Sequence, residues 1–251
     1  MKLVVLLATC AWAGSLEDWK KEIEQTSGAR IALLHVFADP ATGEVKAPPL
    51  DGVVRRALEN ESFRRELFRA HALTIHDDGE PGPRHFILVN MSLADQFKGV
   101  EDGLVAHELG HIWLHRRGLR SPAFEPGPEA CLAIHSGDIV QHALIHPELA
   151  RRGFSLDYFR RNLTAFFDAP ADSSGDPCQA LVAVSYLADA AHIALSHPPQ
   201  SPQATESAAA IVARLRDTPD LSDAEQFSAA VDFVRQQLER LYATIRKSPN
   251  K

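Results

Sequence analysis

The sequence carries no excess of positive charge: 26 Lys and Arg stand against 33 Asp and Glu, a formal net charge of −7 at pH 7. The basic footprint that tracks phosphates is missing, which argues against nucleic acid or anionic membrane as a partner. The apolar run at residues 3–13 is too short to span a bilayer as a helix. No internal repeat and no Gly-rich nucleotide loop occurs. Cysteine is scarce, with 3 in 251 residues. Cys131 and Cys178 read equally well as a disulfide pair or as two buried thiols.

What is present is ordinary for a chain that buries a core: 45% apolar and 24% charged residues. The length fits one medium domain, or a small domain with an extension. Lys2, the apolar run and Ala11-Trp12-Ala13 follow the order of a secretory signal, with cleavage after Ala13. That predicts a mature chain from Gly14 in a secreted or periplasmic location. A buried N-terminal strand in a cytoplasmic protein is the alternative.

Ser15 with Asp18 suits a helix start, and Leu16, Trp19 and Ile23 space its apolar stripe. Residues 30–37 read as a strand, residues 51–69 as one amphipathic helix, and residues 71–76 and 85–90 as a hairpin around Gly- and Pro-rich residues 77–83. Helices are predicted over 101–117, stopped by Gly118, and over 129–145, ending near Pro147. The remainder is helical: 156–167, 179–195, 206–216 and 223–247, the last with Ser222 and Glu225 as a capping box. The expectation is an α+β fold. A signal segment (1–13) precedes a small mixed-sheet domain (14–150), and a helical C-terminal extension (151–251) packs on that domain.

The residues that carry chemistry are His107-Glu108-Leu109-Gly110-His111, an HExxH pattern inside a helix-compatible run. An α-helix turns about 100° per residue, so His107 and His111 share a face and could bind one zinc. Glu108 is displaced around the helix, beside the metal rather than on it. It is placed to act as general base on a water that zinc activates, and then to protonate a leaving amine. Gly110 removes a side chain where another element can approach closely. His115 lies a full turn beyond the metal and instead complements the helix C-terminus.

A catalytic zinc usually takes a third protein ligand. The following helix offers Glu129, His135, Asp138 and His142. The last three share one face. Asp138 sits mid-helix among apolar residues, where a carboxylate needs a partner or a metal. It is the expected ligand, with His135 or His142 bonded around the site. The alternative puts Glu129 on the metal and leaves Asp138 to orient a histidine.

The stretch His107 to His115 resembles the zinc helix of the ImmA/IrrE-type minimal gluzincin peptidases, and strand 85–90 resembles the edge strand beside their cleft. The stretch Asp138 to Pro147 resembles their second helix, with Asp138 standing near the position of the family's Glu ligand. The resemblance covers roughly residues 30–147. It implies a zinc peptidase acting on peptide or protein substrates, which strand 85–90 would hold by strand addition. The competing reading is a catalytically silent zincin-derived binding module with a structural zinc.

Overall fold

The computed structural model describes residues 15–48, 51–121, 130–169, 177–198 and 200–247. The expected signal segment and Glu129 lie outside them. The chain begins with α1 (Leu16–Ser27), whose capping box forms in both directions between Ser15 and Asp18. Next come β1 (Arg30–Asp39) and the short β2 (Glu44–Lys46), which the sequence did not announce. The helix expected over 51–69 is instead two, α2 (Gly52–Glu59) and α3 (Glu61–Leu67). Asn60 causes the break: its extended backbone ends α2, while its side chain accepts the Phe63 N–H at 3.1 Å and caps α3.

Strands β3 (Ala72–Asp77) and β4 (Arg84–Asn90) pair antiparallel, and β4 pairs parallel with β1. The sheet order is β2-β1-β4-β3. Strand β4 is therefore central, not the edge expected of residues 85–90; the edge strand on that side is β3. Burial explains the placement. Phe86 and Leu88 face a small core with Val54 and Leu67 from α2 and α3, and Ile87 and Val89 face the main core. A strand apolar on both faces belongs inside a sheet.

After the short α4 (Ala94–Phe97) come α5 (Glu101–Arg116) and α6 (Ala130–Arg151). Helix α6 continues through Pro147 rather than ending there. A proline removes one helical N–H, but Leu149 is buried beyond it, and Arg152 pairs with Glu148 and with Glu22 of α1. Four helices complete the described chain: α7 (Asp157–Asp168), α8 (Pro177–His192), α9 (Pro202–Asp217) and α10 (Ala224–Lys247). The expected Ser222 capping box does not form. Asp223 accepts the Gln226 N–H at 3.0 Å instead, and Ser222 donates to Asp220.

The fold is α+β, a four-stranded mixed sheet with a helical C-terminal region. One apolar core runs from α1 and α5 through α6 to α10. Cys131 of α6 and Cys178 of α8 form a disulfide, resolving their two readings. No described helix is long and apolar enough to cross a membrane.

Candidate metal centre

Helices α5 and α6 meet at Gly110, where an added Cβ would lie 2.7 Å from Cγ2 of Ile145. Only hydrogen fits there. This close approach sets the histidines of α5 against those of α6.

His107 and His111 lie one turn apart with their Nε2 atoms 3.0 Å from each other. Gln141 on α6 fixes the tautomer of the second ring. Its Nε2 donates to the Leu119 carbonyl at 3.0 Å, which leaves Oε1 to accept from His111 Nδ1 at 2.7 Å. His111 Nε2 therefore keeps its lone pair, as a metal ligand must. His142, also on α6, uses Nδ1 to donate to both carboxylate oxygens of Asp189 on α8, at 3.0 and 3.1 Å. One ligand atom each from His107, His111 and His142 lie within 4.8 Å of one another, so the triad could hold a metal ion. The donors fit such a role: the Nε2 atoms of His107 and His111 face each other in a buried site, and an all-imidazole set suits zinc and its transition-metal neighbours better than magnesium or calcium.

Burial holds the His107 imidazole well below its ordinary pKa, and lowers that of His111 as well, so both rings stay neutral. Burial also works against charge on His142, but Asp189 outweighs it and raises that ring to about 9. Glu108 is buried beside the triad, and Thr74 of β3 donates to its Oε2 at 2.6 Å. Burial pushes its carboxyl up to about 7, against the pull of the Thr74 hydrogen bond.

The structure thus brings His107, His111 and Glu108 together. Asp138 sits one turn before His142 on α6, close enough to feel His111 and His142, and burial raises its carboxyl. Its carboxylate is not part of the compact triad; the His142 imidazole is. His135 belongs to neither the triad nor any other compact ligand group among the described residues. His115 bonds Asp78 at 3.0 Å, away from the triad.

Sequence reasoning missed Thr74, Gln141 and Asp189. A signal existed for Asp189 alone: it is a single acid in an otherwise apolar helix, the same feature that singled out Asp138. No family model, curated protein or solved structure matches the chain.

Proposed function

We propose that the protein is a zinc-dependent peptidase, with zinc held by His107, His111 and His142. The position of Glu108 carries this reading. A site that only pins two helices together needs nitrogen donors and no neighbouring acid. Here a carboxylate is buried beside the triad and steered by Thr74 from the edge strand. Burying an acid is unfavourable unless it has partners or work to do.

Bound zinc would supply Lewis acidity, lowering the pKa of water and polarising a scissile carbonyl. Glu108 receives the proton of the attacking water and passes it to the leaving amine. Thr74 holds Oε2 and leaves Oε1 for that task. Asp189 fixes the His142 ring through Nδ1, and Gln141 does the same for His111. Strand β3 is the edge beside Glu108, which makes it the strand available to a peptide substrate. An all-histidine triad would set this protein apart from the gluzincins that its zinc helix resembles. The Cys131–Cys178 disulfide supports an oxidising compartment as its place of work.

The test is metal analysis together with cleavage of a broad peptide library, comparing wild type with Glu108→Gln. The variant keeps size and shape but loses the base. It should retain zinc and melt close to wild type, while hydrolysis falls by roughly 100- to 10,000-fold. Full activity in Glu108→Gln on a substrate that wild type cleaves would sink the mechanism.

A further inference from the structure

Beside the first triad, α6 meets α8 in a second group, of which the peptidase reading uses His142 and Asp189 but leaves His146 without a role. One ligand atom each from His142, His146 and Asp189 also lie within 4.8 Å of one another. His146 is 1% exposed and Asp189 4%. Both ring nitrogens of His146 are buried without a hydrogen-bond partner. A neutral imidazole carries one donor and one acceptor, and leaving both unmet in a dry interior is unfavourable. Packing does not require an imidazole there. The ring lies against Phe159, centroids 4.4 Å apart, where an apolar side chain would serve.

We propose that the protein holds a second divalent transition-metal ion, bound by His142 Nδ1, His146 and Asp189, so that His142 bridges two metal positions. Two imidazoles and one carboxylate are a donor set for zinc, iron(II) or copper(II). The ion takes the place of the hydrogen between His142 Nδ1 and Asp189. Both ring protons of His142 leave to solvent, and the ring bridges as imidazolate, with Nε2 the nitrogen remaining for the first position. The inference shares His142 with the proposed triad, and Asp189 also orients that ring for the first position; His146 serves the second position alone. The C-terminal helical region would then be part of the metal centre through α8.

The full chain, stripped with a chelator, is titrated with Zn2+, and bound metal is counted after desalting. Wild type should bind two zinc ions per chain. His146→Ala should bind one at wild-type affinity, and Asp189→Asn should bind one more weakly, because His142 loses the carboxylate that orients it; helical circular dichroism confirms that both fold. His107→Ala should lose the first ion and keep the second. One zinc per wild-type chain overturns the second site, as do folded His146→Ala and Asp189→Asn proteins that still bind two. Two zinc ions in His107→Ala would instead refute the first triad and leave the second standing. A readout that needs no variant is electron paramagnetic resonance of wild type with two equivalents of Cu2+. A bridging imidazolate gives a magnetically coupled pair, and two isolated copper signals overturn the bridge.

Discussion

Glu108 and Asp138 show how far a single residue can be read from sequence alone. The proposed role of Glu108 follows from its place between two histidines a turn apart, because local helix geometry fixes where its carboxylate goes. Asp138 poses a harder question. It and His142 stand four residues apart on one face of α6, so periodicity cannot say which of them joins His107 and His111. A tertiary contact distinguishes them: α8 brings Asp189 against His142 Nδ1 and orients that ring. Such a contact across 47 residues leaves no trace in spacing. If His142 is the ligand, His142→Ala should strip most zinc from the first position, since two remaining histidines bind it poorly. Asp138→Asn, which keeps shape and removes charge, should weaken zinc by no more than the roughly 10- to 100-fold of an outer carboxylate. Zinc affinities measured by competition with a chromogenic chelator separate the two. The reverse order of losses would return Asp138 to the metal.

Among the elements, helices are the most legible because capping and period are local, and α5, α7 and α10 fall close to their expected ranges. The misjudgements came where packing overrides local signals. The unbroken apolar run of β4 was itself evidence for a central strand, since an edge strand with one wet face would alternate. Pro147 failed to end α6 because buried Leu149 and the ion pairs around Glu148 hold the turn beyond it. Gly110 was legible as a point of close approach, but its neighbour, Ile145, was not. Gly110→Ala should improve helix propensity by about 1 kcal/mol, yet drive a methyl into Ile145, where overpacking typically costs about 1–3 kcal/mol. A net destabilisation of about 0–2 kcal/mol is expected from these opposing terms, with α6 pushed off α5 and zinc affinity reduced. In an Ile145→Ala background the same substitution should cost clearly less, because the clash is gone. Urea denaturation of the four proteins gives the coupling, and equal costs in both backgrounds would show that the 2.7 Å approach is not what Gly110 serves.

At the scale of the whole molecule, the chain buries many neutral histidines, and this sets how it responds to acid. His85 isolates the effect because it lies on β4, away from the metal centre. Its ring is fully buried, with Nδ1 at 3.2 Å from His76 Nδ1 and Nε2 without a partner. Burial lowers it to about 4, helped by His115 and Arg116 and opposed by Asp78 and Asp77. In the unfolded chain a histidine titrates near 6.5. Between these values the unfolded state is protonated at this position and the native state is not, so unfolding takes up a proton. Stability therefore falls as pH drops below about 6.5, by about 1.4 kcal/mol per pH unit for one such group, and the loss levels off near pH 4. A protonated native ring would carry an N–H on both nitrogens, and at Nε2 no acceptor waits. Metal-free wild type and His85→Gln should be unfolded in urea at a series of pH values from 7.5 to 4. His85→Gln begins less stable if the imidazole packs well, but its curve should descend less steeply, with the slopes differing by about one proton. Parallel curves across that range would mean that His85 is already charged in the native protein, and that its burial between β3 and α5 is compensated by Asp77 and Asp78.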